Sequence, residues 1–574
     1  MDVQTLAAAL AIDEKRKADL VAAEYDSTQT YALGSLVLYK GALYECTTQI
    51  TTAEAWNPDH WTQRTIEYYL AQIGTEYPRF GVSGVGSSSA TLTRLWDAVE
   101  LNATPGTDTI TCSSSFDTFK PFNRKKCVGH WILDPVSSTP KGKFIVEAYY
   151  GDADYAEDGT MGDYVAVEVE PFYYFEGGGV LGVSEHQFPG WKIHPVCVDL
   201  DGYTRAKTYI PCYALALKDG KAVSLPGYHN EFGAYKALAD KTKLYGDGTL
   251  VQCTMLEPSA VDHYEWLLMT IEYATQNMQS KMTGAVSMAY SASHVVHSAP
   301  EANKIVVTAS IGGNFVVGQS IIIGASYSAT PASVDAYNVI TSIDACDEDG
   351  TLNASGTYRL ISYDGTDRSA SVTADTTQIG SKPWISGATQ GSAPGVSAVR
   401  GHTGSPVSNS NNKYPNLYRW RENVYGNQNM TCMDLFNARV EDSGSYRLDW
   451  YLLTDPRLFY PYSNVSSAAE FTAAKGFTKL AVTTPKESYA DGYIKELAAD
   501  PLYPFAHVPV LTTGGSASTY YCDYASLVNS YTVRSVRRRG YLSYGASFGP
   551  CFVYADYAPS YSSWHYGGGL FFMQ

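Results

Sequence analysis

The C-terminal stretch at residues 540–574, GYLSYGASFGPCFVYADYAPSYSSWHYGGGLFFMQ, constrains the fold more than any other part of the sequence. From Tyr541 to Gly567 it contains no Lys, Arg, Glu, Gln or Met, and its one carboxylate is Asp556. The pattern is neither alternating nor helical, so an ordinary amphipathic strand or helix is excluded. Its glycines supply turns and close backbone approaches, and the apolar run at 570–572 is typical of a strand covered on both faces. We therefore expect an ordered end, anchored by the glycines, Trp564 and the final strand.

The other side chains of this stretch are of the kinds that recognition surfaces use. Tyr offers a large amphipathic area for few rotamers, and Ser adapts its hydrogen bonds. Each of them is also a residue that an AAC or AAT codon reaches when its adenines are replaced, whereas Trp564 is not. We predict that these side chains are displayed rather than packed and that they bind a ligand: Tyr541, Ser543, Tyr544, Phe548, Cys551, Phe552, Tyr554, Asp556, Tyr557, Tyr561, Ser563 and His565.

This stretch resembles the variable region of proteins that are diversified by diversity-generating retroelements, which present hypervariable residues on a C-type-lectin-like fold related to formylglycine-generating enzymes. The upstream segments YEWLLMTIEYATQNMQSKM, YRWRENVYGNQNMTCMDLF, LDWYLLTDPR and YPFAHVP are similar to the scaffold of phage or prophage tail receptor-binding proteins. The resemblance implies a rigid platform at a phage tail tip or fibre that attaches to the host. It also implies a bacterial surface receptor, protein or glycan, other phage tail proteins as partners, and a homotrimer.

A small module precedes this scaffold. Two short β runs flank a turn at Lys40 and Gly41, and two tryptophans follow. The pattern resembles the small chitin-binding-like carbohydrate modules that are appended to secreted glycosidases and phage tail proteins, and it consists of Tyr31, Gly34, Val37, Tyr39, Gly41, Tyr44, Trp56 and Trp61. Aromatic faces can stack on sugar rings, which would make Tyr31, Trp56 and Trp61 the sugar-stacking residues. The alternative is that the same rings form the core of a structural adaptor.

A chain of 574 residues is too long for one hydrophobic core, so several units are expected. The predicted fold class is α+β and multidomain, with a C-type-lectin-like fold at the C-terminus, an inserted all-β domain that is sandwich-like or barrel-like, and a small β module at the N-terminus. The units are an attachment or oligomerisation helix at 1–25, the carbohydrate-module-like domain at 26–64, a linker at 65–90, the first part of the lectin-like scaffold at 91–297, the inserted β domain at 298–400, and the C-terminal lectin-like part at 401–574 with its variable region at 540–569.

Charge and composition exclude several classes of partner. The formal charge of −17 argues against nucleic acid, because a phosphate backbone requires a clustered cationic face. The compact basic run is interpreted as a local structural or solvated patch, and it comprises Arg534, Arg537, Arg538 and Arg539. The N-terminus lacks the order of a secretory signal, and no stretch reaches the ~20 apolar residues of a membrane span. We therefore expect a protein made without a signal peptide, with its ten Cys mostly reduced and buried. The resemblance to phage tail proteins implies synthesis in the bacterial cytoplasm and a location in the virion.

The sequence contains no recognisable catalytic or cofactor motif. The cysteine pair of formylglycine-generating enzymes, the GxSxG elbow, the HExxH helix and the P-loop are missing, so we predict no enzymatic activity, no cofactor and no metal. The acidic loop GDADYAEDGTMGDY fails the EF-hand spacing. Histidines in unlike contexts are interpreted as structural, at His194, His229, His263, His294, His297, His402 and His507. Two alternatives stay open: a tail-associated polysaccharide depolymerase, since paired carboxylates need not be close in the chain, and a purely structural tail or baseplate protein.

Overall fold

The computed structural model describes residues 23–40, 42–64, 77–107, 109–135, 137, 139–284, 294–325, 338–388, 402–404, 414–459, 465–528, 530–542 and 547–574. Most of the predicted N-terminal helix at 1–25 lies outside these residues. The described chain is mostly β and forms several sheets. None of its helices is long and apolar enough to cross a membrane.

The small N-terminal β module is present. Its sheet has the order β1-β2-β3-β4, in which β1 runs parallel to β2 and the other pairs are antiparallel. The strands are β1 (Ala23–Glu24), β2 (Leu36–Tyr39), β3 (Ala42–Cys46) and β4 (Trp61–Gln63). Val37, Cys46, Ile50 and Trp61 form its core. A core of four side chains is small, so the surrounding tyrosines and Trp56 complete it.

The next region contains a four-stranded sheet, β10-β9-β11-β15, and a five-stranded sheet, β14-β12-β13-β5-β6. Its elements are β5 (Arg79–Ser83), β6 (Thr93–Trp96), β7 (Ala103–Thr104), β8 (Ser113–Ser114), β9 (Lys125–Leu133), β10 (Gly142–Tyr149), β11 (Tyr164–Val169), β12 (Tyr173–Gly177), β13 (Val180–Ser184), β14 (Lys192–Ile193), β15 (Thr208–Pro211), β16 (Ala216–Lys218), β17 (Lys221–Val223), α1 (Tyr235–Thr242), β18 (Thr254–Leu256) and α2 (Ser259–Tyr273). Strand β5 falls inside the predicted linker at 65–90, so the linker prediction is wrong for these residues. Phe80 and Val82 are fully buried and β5 pairs with both β13 and β6, which a Gly/Ser-rich linker would not do.

The residues predicted as an inserted β domain contain a five-stranded sheet of order β19-β22-β21-β20-β23. Its elements are β19 (Lys304–Thr308), α3 (Ala309–Gly312), β20 (Ser320–Gly324), β21 (Asn338–Cys346), β22 (Tyr358–Gly365) and β23 (Gln378–Ser381). The segment just before β19 bridges the two outer strands, because Val295 pairs with Gln378 and Ser298 pairs with Val306. The sheet is therefore closed in the manner of a small barrel, around an Ile- and Val-rich core.

The C-terminal region is built on the sheet β29-β28-β27-β34-β35-β33-β30, with β36 paired to β27. Its strands are β24 (Thr403–Gly404), β25 (Leu417–Tyr418), β26 (Arg421–Glu422), β27 (Asn429–Asp442), β28 (Ser445–Leu453), β29 (Phe477–Thr484), β30 (Gly492–Tyr493), β31 (Glu496–Asp500), β32 (Tyr503–Leu511), β33 (Tyr524–Ser526), β34 (Val533–Arg538), β35 (Val553–Tyr554), β36 (Tyr566–Gly567) and β37 (Leu570–Phe572). Strand β37 pairs with β18 and is buried along its length, which confirms the prediction of a covered final strand. The end of the chain thus joins the two scaffold regions.

Helix α2 lies in the centre of this scaffold, and every residue of it except Asp262 is buried. Its two buried carboxylates are paired with arginines from other elements. Glu265 accepts from Arg124 at 2.8 Å and from Arg421 at 3.0 Å, and Glu272 accepts from Arg419 at 2.7 Å. The helix is therefore held by ion pairs as well as by apolar contacts, and removing one partner would leave a buried charge unpaired.

Candidate functional site

The C-terminal stretch does not display all the side chains that the sequence predicts it to display. Ser543 and Tyr544 lie outside the described residues. The prediction of exposure is wrong for the following residues, which are at most 8% exposed: Phe548, Cys551, Phe552, Tyr554, Asp556 and Ser563. The physical reason is that this segment is part of the scaffold. Tyr554 lies in β35, between β34 and β33 of the large sheet, and the side chains of Phe548, Cys551 and Phe552 belong to the main hydrophobic core. Trp564 is 3% exposed and packs with Trp384 and Leu542, as expected of an anchor.

The predicted residues that reach the surface are Tyr541, Tyr557, Tyr561 and His565. Tyr541 stacks on His565 with ring centroids 4.0 Å apart. Tyr557 and Tyr561 stack on each other at 4.1 Å, and Tyr561 is 39% exposed. The second pair belongs to a larger group that we call the tyrosine cluster, and it comprises Tyr531, Tyr554, Tyr557, Tyr561 and Tyr566.

Arg537 of strand β34 lies beneath the tyrosine cluster. Its guanidinium is fully buried and lies over the ring of Tyr566, 3.8 Å from the ring centroid. None of its three nitrogens has a hydrogen-bond acceptor within reach among the described residues. The stacking contact satisfies one face of the guanidinium, but its five N–H groups point outward in the guanidinium plane. Burial lowers the pKa of Arg537, and the group nonetheless remains a cation at neutral pH.

Other polar groups without partners lie on the same face of the sheet as Arg537. Thr431 on β27 is its cross-strand neighbour, and Ser535 is two residues earlier on β34. Both hydroxyls are buried and lack a partner among the described residues, as do both amide atoms of Asn429. Asp556 also lies near Arg537, and burial raises the pKa of this carboxyl to about 6 although the charge of Arg537 lowers it. Its Oδ2 accepts from Ser526 at 2.7 Å, and its Oδ1 has no hydrogen-bond partner among the described residues. The face therefore combines a cation without a hydrogen bond, several neutral polar groups and one nearby carboxylate, and the guanidinium supplies the charged donors that an anionic ligand needs.

The neighbouring arginines of the same basic run, unlike Arg537, have hydrogen-bond or ion-pair partners among the described residues. All four are buried, so the structural interpretation of the run holds and the solvated interpretation is wrong. Arg539 pairs with Asp262 at 2.8 Å and also with Glu257, Arg538 donates to the carbonyl of His507, and Arg534 donates to the carbonyl of Leu527. Arg537 differs from these three because none of the described residues accepts a hydrogen bond from its side chain. The sequence alone could not separate the four, because they differ only in what tertiary structure places opposite them.

The N-terminal module contains a packed group of aromatic rings. Trp56 lies parallel to Tyr39, with centroids 3.8 Å apart, and nearly parallel to Trp61 at 5.3 Å. Tyr25 contacts both tryptophans edge to face and stacks on Tyr31 at 5.4 Å. Trp61 is only 5% exposed and belongs to the core, so the prediction that it offers a face to a sugar is wrong. The half-buried rings of Tyr31, Tyr39 and Trp56 are the ones that can contact a ligand.

A third group, of one carboxylate and two histidines, was not predicted from the sequence. Glu176, His263 and His507 bring three ligand-type atoms within 4.8 Å of one another. Glu176 accepts from His263 Nε2 at 3.1 Å and from His507 Nε2 at 2.8 Å. Burial raises the pKa of Glu176, but the two imidazoles more than offset this and hold the pKa below its ordinary value. The carboxylate is therefore ionised, as it is in both a metal site and a hydrogen-bond network.

The tautomers of the histidines decide whether this group is a metal site or a hydrogen-bond network. The backbone N–H of Val196 donates to His194 Nδ1 at 3.1 Å, so His194 carries its proton on Nε2 and donates it to His263 Nδ1 at 2.8 Å. His263 must then carry its own proton on Nε2, which faces Glu176. A metal at that nitrogen would need the proton on Nδ1 and an acceptor beyond it, the usual arrangement of a ligating histidine. The donor set does not fit a metal, and the group is a polarised hydrogen-bond chain.

The comparisons with known proteins bear on the N-terminal module. Residues 24–62 match carbohydrate-binding module family 5/12, which agrees with the chitin-binding-like module predicted at 26–64. No curated protein matches the chain.

Proposed function

We propose that the chain is a receptor-binding protein of a phage or prophage tail, which recognises the bacterial surface without enzymatic activity. In this proposal the scaffold around α2 has a C-type-lectin-like fold, and it presents the tyrosine cluster and Arg537 to the ligand. The observation that carries the proposal is the buried guanidinium of Arg537, which has no hydrogen-bond acceptor in the part of the chain that the structure describes and lies beneath a partly exposed aromatic surface. Similarity of the C-terminal sequence to diversified variable regions supports it independently.

The chemistry of the site favours an anionic ligand. A buried cation without a partner costs several kcal/mol, and a carboxylate or phosphate group of the ligand would remove much of this cost through bidentate hydrogen bonds. The rings of Tyr557 and Tyr561 would contact the rest of the ligand, because tyrosine serves varied ligands at low entropic cost. We therefore propose an acidic group on a surface glycan or protein as the receptor determinant.

Binding of the purified protein to an array of acidic and neutral bacterial polysaccharides, together with binding to whole cells, tests this. We expect the bound ligands to be enriched in uronate or phosphate groups. Arg537→Met should weaken their binding by at least about 30-fold, since truncating one member of a buried charge pair costs about 2–5 kcal/mol. The matched control is Arg447→Met, on the partly exposed side of the same sheet. Unchanged binding by Arg537→Met would refute the assignment.

The N-terminal module is proposed to bind a glycan of its own. The match to carbohydrate-binding module family 5/12 supports this, as do the half-buried rings of Tyr39 and Trp56. Retention on chitin beads is the simplest assay. Tyr39→Ala should release the protein from the beads, whereas Ala32→Ser, on the exposed turn before β2, should not. Retention that is equal in both variants, or absent in the unmodified protein, would leave the module as a structural adaptor.

The proposal includes a homotrimer at the tip or fibre of the tail, in contact with other tail proteins. A patch the size of the tyrosine cluster is smaller than a standard protein interface, so single-site affinity should be modest. Several copies on one particle would raise the effective affinity by about 10²–10⁴ without new contacts. Light scattering of the full chain tests the oligomer, and a monomer at micromolar concentration would contradict it.

A further inference from the structure

A cysteine, a histidine and a carboxylate from distant parts of the sequence meet beside α2. The thiol of Cys112 lies 3.8 Å from Nδ1 of His402, which is 290 positions away in the chain. On the other side of the ring, Nε2 of His402 lies 3.0 Å from Oδ1 of Asp117. The imidazole therefore connects a nucleophile to a carboxylate that orients it, which is the arrangement of an activated nucleophile.

Charged groups from two other elements hold this arrangement. Asp117 also accepts from Arg419 at 3.0 Å, and Arg419 is paired with Glu272 of α2 at 2.7 Å. Tyr273 of α2 also lies close enough to Cys112 for the two groups to interact electrostatically. Because Arg419 is fully buried and its partners are fixed, the carboxylate of Asp117 has little freedom to turn away from His402.

The electrostatics favour transfer of the thiol proton to the imidazole. Burial raises the pKa of Cys112, but the hydrogen bond and charge of His402, together with the backbone of His402 and Thr403, hold the pKa below its ordinary value. Burial and the charge of Arg419 lower the pKa of His402, but its hydrogen bonds with Asp117 and Cys112 raise it to about 9. Both shifts favour the thiolate–imidazolium form of the pair over the neutral form.

The other nine cysteines provide a contrast within the same molecule. All ten are free thiols, and Cys112 is the one that is not classed as buried. Burial raises the pKa of each of the others: Cys46, Cys127, Cys197, Cys212, Cys253, Cys346, Cys432, Cys522 and Cys551. A cavity of about 210 Å³, lined by His402, Asp117 and Trp420 among others, lies against the imidazole. The cavity gives an incoming molecule space beside His402 and Asp117.

We propose that Cys112, His402 and Asp117 form a reactive thiol site that is modified by carbon electrophiles carrying a leaving group. In this step a lone pair of the Cys112 sulfur forms an S–C bond, and the bond between that carbon and the leaving group breaks with its electron pair on the leaving group. The thiol proton, held on His402, passes to the leaving group or to water. His402 holds the proton, and Asp117 is a positioning residue that fixes the ring. The site is separate from the tyrosine cluster and does not depend on the proposed receptor binding.

Alkylation of the full chain by iodoacetamide, with the labelled peptides quantified by mass spectrometry between pH 6 and pH 9, tests this. An ordinary thiol with a pKa of about 8.5 gains about 100-fold in thiolate between pH 6 and pH 8. We expect the labelling rate of Cys112 to gain less than this 100-fold and to be at least tenfold higher than that of every other cysteine at pH 6, because a lowered pKa increases its thiolate fraction. The nine buried cysteines are internal controls in the same digest.

Two variants identify the source of the effect. His402→Gln keeps a hydrogen-bonding group but removes the charge, so the pH dependence of Cys112 labelling should become that of an ordinary thiol. Asp117→Asn should shift the pH dependence of Cys112 labelling part of the way toward that of an ordinary thiol. His130 is a half-exposed histidine on β9, and His130→Gln should leave the pH dependence unchanged. The unmodified protein alone can overturn the proposal: labelling of Cys112 that rises with pH like an ordinary thiol, or no faster than that of the buried cysteines, would do so.

Discussion

The same substitution, Arg→Met, can be tested at Arg421, which is paired with two carboxylates, and at Arg537, which is paired with none among the described residues. Both side chains are at most 1% exposed. Arg421 donates to Glu257 at 2.7 Å and to Glu265 at 3.0 Å, and its Nε donates to the carbonyl of Pro211 at 3.0 Å. The guanidinium of Arg537 lies over the ring of Tyr566 and has no hydrogen-bond acceptor among the described residues. Replacement by Met keeps the length of the side chain and removes the charge in both cases.

The two substitutions should change the free energy of unfolding in opposite directions. Arg421→Met leaves Glu257 and Glu265 with one arginine fewer each, and breaking a buried pair costs about 3–5 kcal/mol. Arg537→Met removes a desolvation penalty of several kcal/mol and loses a cation–π contact worth about 2 kcal/mol, so the free protein should be stabilised by about 1–3 kcal/mol. Stability would rise while binding is lost, which is the expected cost of keeping an unsatisfied group for a ligand.

Amide hydrogen exchange of β34 and of α2 is the suitable assay, because a chain with several units has no single unfolding midpoint. We expect slower exchange of β34 in Arg537→Met and faster exchange of α2 in Arg421→Met. If Arg537→Met accelerates the exchange of β34 as strongly as Arg421→Met accelerates that of α2, then Arg537 is satisfied within the protein. The assignment of an anion site would then be refuted.

Three further predictions concern the scaffold and the module. Burial raises the pKa of Asp434 to about 6, above its unfolded value, so its contribution to stability is fully present below about pH 4 and is lost as the pH rises through 6. Amide exchange of the first turn of α2 should therefore accelerate from pH 5 to 7, after correction for intrinsic rates. Asp434→Asn should abolish this change. Trp61→Ala should cost about 3–5 kcal/mol and unfold the N-terminal module, measured by proteolysis at 23–64, whereas an exposed substitution such as Leu33→Ala should not. Gly569→Ala would place a Cβ against the Glu257 carboxylate and should accelerate the amide exchange of β37, whereas Gly324→Ala, which has open space, should not accelerate that of β20; equal effects would contradict this reasoning.

Much of the local structure could be predicted from the sequence. The small N-terminal module was recognisable because its glycine turn and aromatic spacing lie within about forty residues, and residues 24–62 match a carbohydrate-binding family. Leu570–Phe572 was recognisable as a covered strand from its continuous apolar run. The strand β5 was missed, because two buried side chains in a Gly/Ser-rich stretch give a weak signal.

The candidate sites depend on contacts that no local pattern contains. Composition identified the C-terminal stretch as unusual, but only the packing of the folded chain decides that Phe548 and Tyr554 are buried while Tyr561 reaches solvent. Arg537 differs from its neighbours through what lies opposite it across the sheet. Cys112 meets His402 because two loops, 290 positions apart in the chain, pass the same end of α2. The sequence by itself determined the hydrophobic pattern of short segments and the glycine and tryptophan residues that anchor them, since these depend on neighbours in the chain. Tertiary structure decided which polar groups are left without partners, since burial and pairing are properties of the whole fold.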